Sequence, residues 1–131
     1  MLRINFKKLQ MSILSDNDDY SLLLSIESGF INFEVTIALT REDFAVIETE
    51  NERAAFLQAA LHHPFQLKET WLEAKEQRHY LDKILHSPKS EAEIFLTEID
   101  FGEANGAISH MVHITCGKDQ GILRKGQWFS R

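Results

Sequence analysis

Cysteine, proline and positive charge are all scarce in this sequence, and each scarcity excludes something. The single cysteine, Cys116, cannot close an internal disulfide, which suits a reducing compartment. The two prolines, Pro64 and Pro88, each stand where a helical pattern stops. The six glycines form neither a phosphate-cradling loop nor the tight elbow of a nucleophilic serine. No apolar run approaches the roughly 20 residues needed to cross a bilayer. The opening residues, with Arg3, Lys7 and Lys8 set among Leu2, Ile4 and Phe6, are too polar for a secretory signal. The expectation is a cytoplasmic protein, and 131 residues suggest one domain over 1–131.

The charge that is present is mostly negative and unevenly placed. Residues 9–116 hold 19 acidic and 7 basic residues, a local balance of −12 within a chain of net −6. Cations gather at the ends, at Arg3, Lys7 and Lys8 and at Lys118, Arg124, Lys125 and Arg131. Nucleic-acid affinity comes mostly from cationic charge, so this acidic body argues against direct nucleic-acid binding. It suits a basic partner, and it also serves plain solubility.

The clearest structural signal is residues 30–39, where Ile31, Phe33, Val35, Ile37 and Leu39 alternate with Asn32, Glu34, Thr36 and Ala38. Period-two patterning of β-branched and aromatic residues predicts a strand buried on one face. Residues 20–28 form its antiparallel neighbour, with Glu27, Ser28 and Gly29 as the turn. A loose alternation through Leu2, Ile4 and Phe6 and then Leu9, Met11 and Ile13 predicts a starting strand. Asp16, Asn17, Asp18 and Asp19 form a turn without calcium-loop spacing.

Thr40 caps a helix over 41–48, with Glu42 and Asp43 in its first turn, where the helix dipole favours carboxylates. Thr49 and Glu52 match a capping box for a second helix, 50–62. A third spans 67–85, with Leu67, Trp71, Ala74, Leu81 and Leu85 as its stripe and Arg78 interrupting it. Residues 92–101, 107–116 and 122–129 read as strands separated by glycine-bearing hairpin loops. The fold class is therefore α+β: an antiparallel sheet of about five strands, with two to three helices (41–62 and 67–85) on one face.

Catalytic and metal chemistry find little support. His110 and His113, three apart on a strand, would face opposite sides. Glu76 and His79 give one copy of a di-iron half-motif that is needed twice. Cys116 reads as a structural cysteine, buried or half-buried, with His113 across the strand from it. Glu98 and Asp100, with Glu103 beyond, would share a strand face, as much a solvated edge as an acid–base pair. In the basic C-terminal segment, Trp128 or Phe129 pins the last strand to the core. No metal, cofactor or catalytic residue is assigned.

In length, acidity and element order, and in segments such as residues 39–44 with Arg53 downstream, the whole chain resembles the small acidic α+β immunity proteins of bacterial toxin systems. These include the contact-dependent growth inhibition type. The resemblance is one of type and carries no contact residue over. It implies stoichiometric, non-enzymatic neutralisation of a cognate basic toxin domain, often a nuclease, with electrostatic steering and a few desolvated anchors. Candidate contacts are Asp16, Asp18 and Asp19 on the loop and Glu42, Asp43, Glu48, Glu50 and Glu52 around the helix junction. Tyr20 and Trp71 are the candidate aromatic anchors. Two other readings remain open. One is a ligand-binding or enzymatic domain with a pocket between sheet and helices beside a histidine such as His110. The other is an adaptor that self-associates through a sheet edge.

Overall fold

The computed structural model describes residues 2–131. Four strands, β1 (Leu2–Phe6), β2 (Met11–Asp16), β3 (Asp19–Ser28) and β4 (Ile31–Leu39), form an antiparallel meander in the order β1-β2-β3-β4. Asn17 and Gly29 supply the left-handed backbone at the two tight turns, at φ 59° and 63°. Alternation places Met11, Ile13, Leu22, Leu24, Ile26, Val35, Ile37 and Leu39 on the buried face. Arg3, Asn5, Ser21, Ser25, Glu34 and Thr36 lie on the opposite face, as period two requires.

Six helices follow: α1 (Arg41–Thr49), α2 (Asn51–His62), α3 (Ala74–Leu81), α4 (Lys89–Phe101), α5 (Ala107–Cys116) and α6 (Gln120–Arg124); α1 and α2 pack on the buried face of the sheet, and the others on α2 and on one another. The class is α+β, but with four strands and six helices. The stretches 92–101 and 107–116 are helical, and 122–129 is a short helix followed by an extended segment. A physical cause lies in which side chains are buried. On α4 the inward positions are Ala92, Glu93, Leu96 and Asp100, a helical spacing in which half the residues are acidic. Glycine was equally ambiguous. Gly117 ends α5 in the left-handed conformation, at φ 71°, and its N–H bonds the His113 carbonyl, a helix stop in place of a hairpin turn. Cys116, at the last position of α5, is exposed, not buried or half-buried.

The centre of the molecule is α2, not β4. From Arg53 to His62 every α2 residue is buried, because β3 lies on one side and α1, α3, α4 and α5 on the others. A helix enclosed all round shows no amphipathic stripe. Its alanines, Ala54, Ala55, Ala59 and Ala60, let those neighbours approach closely. Thr49 bonds back to the Ala45 carbonyl, and the N-cap of α2 is instead Glu50, whose side chain makes no cap bond.

The predicted helix 67–85 begins later than expected. Residues Pro64–Gln66 and Lys68–Thr70 are short 3₁₀ turns, and α3 starts at Ala74 behind the reciprocal cap of Glu73 and Glu76. It then widens into a π turn, Asp82–His86. Pro88 has no N–H to offer the Ile84 carbonyl. Arg53 of α2 donates to that carbonyl instead, at 2.9 Å.

Candidate functional site

The acidic residues named from the sequence fall into different environments. Asp16, Asp18 and Asp19 are exposed at the β2–β3 turn, and Asp18 pairs with Arg41 at 2.7 Å. Glu42, Glu48 and Glu50 are exposed, with Glu50 bonded to Arg53 at 3.0 Å. Glu52 is half-buried, ion-paired with Lys118 at 2.7 Å and bonded by Ser130.

Asp43 is 0% exposed and is not available as a surface charge. Arg78 clamps it with two bonds of 2.7 Å, His86 Nε2 lies at 2.7 Å, and the Thr40 amide donates at 2.8 Å. Burial alone would raise the Asp43 carboxyl, but these hydrogen bonds outweigh it and hold the group down at about 2. Arg78, the residue that interrupted the α3 stripe, is there for this clamp.

The two aromatics are also separated. Tyr20 stacks on Phe44, with centroids 4.9 Å apart, and pairs with Leu39 at one end of the β3–β4 ladder. Trp71 lies over Phe33, at 6.1 Å, and against the edge of Phe65, at 5.4 Å. Phe33 is six residues from Leu39, about 20 Å along a strand. The two rings serve different surfaces.

Trp71 borders a cleft of about 540 Å³. It lies between the 64–73 segment, α3 and the end of α4. Pro64 ends α2 and starts this segment. The segment is then pinned to the β3–β4 hairpin by Ser28 donating to the Gln66 carbonyl and Gln66 donating to the Glu27 carbonyl. Thr70 closes it locally by donating to the Pro64 carbonyl at 2.7 Å. The floor is small and apolar, from Ala60, Ala104 and Ile108, and the walls carry Trp71, Tyr80 and His63.

Four carboxylates, Glu69, Glu76, Glu98 and Glu103, line the cleft, and no lysine or arginine does. All four are exposed. Glu76 accepts the Glu73 amide of its own helix cap. Burial raises the Tyr80 phenol, and the charges of Glu76 and Glu103 raise it further, so a negative potential is felt inside the cleft. Among the described residues no group of three or more histidine, cysteine or carboxylate side chains is placed to hold a metal. Carboxylates beside an indole and a phenol instead suit an organic cation, which ion-pairs with the acids and lies against the ring faces.

Sequence reasoning singled out Trp71 here but assigned Glu98 to a strand, Glu103 to the hairpin loop after it, and Glu69 and Glu76 to a solvated helix face. Tyr80 was missed. The available signal was a tryptophan flanked by Glu69 and Glu73, seven residues after the proline stop at Pro64.

A second hollow, of about 560 Å³, lies on the outer face of the sheet. There Asn5 already accepts bonds from Arg3 and Ser12. His110 is exposed on α5 and borders neither hollow, but a smaller pocket of about 150 Å³ with His62, His63 and Gln66. Among the described residues no helix is long and apolar enough to cross a membrane. Comparison of the chain with family models, with curated proteins and with solved structures finds no match.

Proposed function

We propose that the protein is a stoichiometric binder that neutralises a basic partner domain, in the manner of bacterial toxin-immunity proteins. The observation that carries this reading is the Trp71–Tyr80 cleft, whose carboxylates have no cation of their own among the described residues. A lysine or arginine side chain on a partner surface would complete it. Its charge would be met by Glu76, Glu98 and Glu103, and its stem or guanidinium plane would lie against Trp71.

An aromatic ring with apolar neighbours inside a polar rim has the make-up of a binding hot spot. Phe33 and Phe65 hold Trp71 in place, so little rotamer freedom is lost on binding. The exposed acids of the β2–β3 turn and of α1 act at longer range, steering a cationic surface during approach. Neutralisation follows if the captured basic surface is the one the partner needs for an anionic substrate such as nucleic acid.

The test is capture from native lysate, identification of the retained protein by mass spectrometry, and salt titration of the complex. A tight, equimolar, basic and salt-sensitive partner is expected. Glu98→Lys with Glu103→Lys should abolish capture while far-UV circular dichroism and the melting temperature hold. Reversal of Asp16, Asp18 and Asp19 should slow association more than it speeds dissociation. Capture that survives both sets of reversals rejects the acidic-surface reading.

A further inference from the structure

β4 ends the sheet, and among the described residues no other strand pairs with its outer edge. The hydrogen-bonding sense of that edge follows from neighbouring contacts. On β3, the Ser25 amide bonds the Gln10 carbonyl and the Glu27 amide bonds His62 Nε2. Both therefore point away from β4, and their even-numbered neighbours bond to it. Those neighbours, Leu24, Ile26 and Ser28, face Val35, Phe33 and Ile31. By alternation Asn32, Glu34, Thr36 and Ala38 turn their N–H and C=O groups outward.

All four of these residues are exposed, and among the described residues their backbone groups make no bond to a turn, loop or cap. Exposed edges are ordinarily blunted by proline, lysine or a bulge. The β4 sequence, INFEVTIAL, has no proline or lysine, and its ladder to β3 runs from Tyr20↔Leu39 to Ser28↔Ile31 without a slip. The other edge, β1, has five residues and carries Arg3.

We propose that two copies of this chain pair antiparallel through their β4 edges, about a twofold axis at Val35. This register sets Asn32 against Ala38 and Glu34 against Thr36 of the second copy, so no like charges face each other. It also uses every outward backbone group of the four residues. On the inner face, Ile31, 66% exposed in the single chain, comes beside Leu39 of the second copy, and Phe33 beside Ile37. The strand is thus complementary to itself in hydrogen bonding, charge and apolar side, which is the argument for a second copy over a foreign strand. The pairing uses none of the cleft carboxylates, so its failure leaves the partner-binding reading standing.

The experiment is analytical ultracentrifugation of the full chain over a wide range of loading concentration. The expected result is a reversible shift from one to two chains. Thr36→Pro removes one outward N–H without touching the β3 ladder and should give monomer at all loadings. Thr36→Glu sets a carboxylate against Glu34 twice by symmetry and should weaken association roughly tenfold. Adding Glu34→Lys to Thr36→Glu should restore it, which no other register does. Circular dichroism of each variant reports retained folding. A wild-type chain that stays monomeric overturns the proposal, as does a dimer indifferent to all three variants.

Discussion

At the junction of α1 and α3 the Asp43 carboxylate is enclosed by Arg78, His86 and the Thr40 amide, whereas Glu69, Glu98 and Glu103 in the cleft face no cation. The C-terminal segment repeats the first pattern. There Glu93 accepts the Trp128 and Phe129 amides, at 2.7 and 3.0 Å, and pairs with Arg131. Both regions contribute to the same net charge of −6, but one uses its carboxylates to join distant parts of the chain and the other leaves them to solvent. Net charge alone therefore overstates how much acid is free to meet a partner.

The contrast breaks first at Asp43. Asp43→Ala strips the helix cap, the bidentate clamp and the His86 contact together, and leaves Arg78 without its buried partner. A loss of about 3–5 kcal/mol is expected in urea unfolding. A loss no larger than that of an ordinary surface change would put Asp43 in the same class as the cleft acids.

The next effect is on pH. The folded Asp43 carboxyl, at about 2, lies below its unfolded value of 3.8, so the folded state favours the ionised form. Its contribution, about 2 kcal/mol, is fully present above pH 4 and is lost as pH falls through about 2. Burial works against Glu52 and Glu93 as well, yet the Lys118 and Ser130 bonds on one and the Phe129, Arg131 and Trp128 bonds on the other hold both below the usual range. Their contributions have the same sign. Burial lowers His62, whose ring accepts the Glu27 amide as the neutral base, so acid costs stability there too, beginning at a higher pH. Stability measured against pH should fall in acid, and Asp43→Asn should flatten the lowest part of the curve.

The smallest effect sharpens the other side. Glu76→Gln with Glu103→Gln removes two charges that raise the Tyr80 phenol, so its ultraviolet titration should move to lower pH. With Tyr80 and Tyr20 the only tyrosines, a Tyr20→Phe background isolates the signal. Stability should stay within about 0.5 kcal/mol of the parent. An unmoved titration would mean that the two carboxylates do not set the cleft potential.

The amino-terminal half was legible because its rules are local. Alternation along β4, Gly29 at the turn and Thr40 before α1 each act over a few residues. The C-terminal half was not, because its inward positions include Glu93, Asp100 and Ser109, polar residues whose partners are supplied by tertiary structure. Ser109 donates its amide to Asp100, and Gln120 reaches back to the Ser109 hydroxyl. The burial of Asp43 was hidden for the same reason, since Arg78 and His86 lie 35 and 43 residues downstream. The acids of the cleft were visible as residues, but their shared wall depends on how α3 meets the end of α4.

The enclosure of α2 also bears on the order in which the molecule can be assembled. Phe56 is covered edge-on by Trp128 and Phe129, at 5.8 and 5.0 Å, and Glu52 is tied to Ser130. A chain leaving the ribosome in sequence order can complete the meander and α1 early, for those contacts are close along the chain. It cannot close over Phe56 until the final aromatic pair has emerged. Until then the helix that the folded protein encloses most completely stays open on that side.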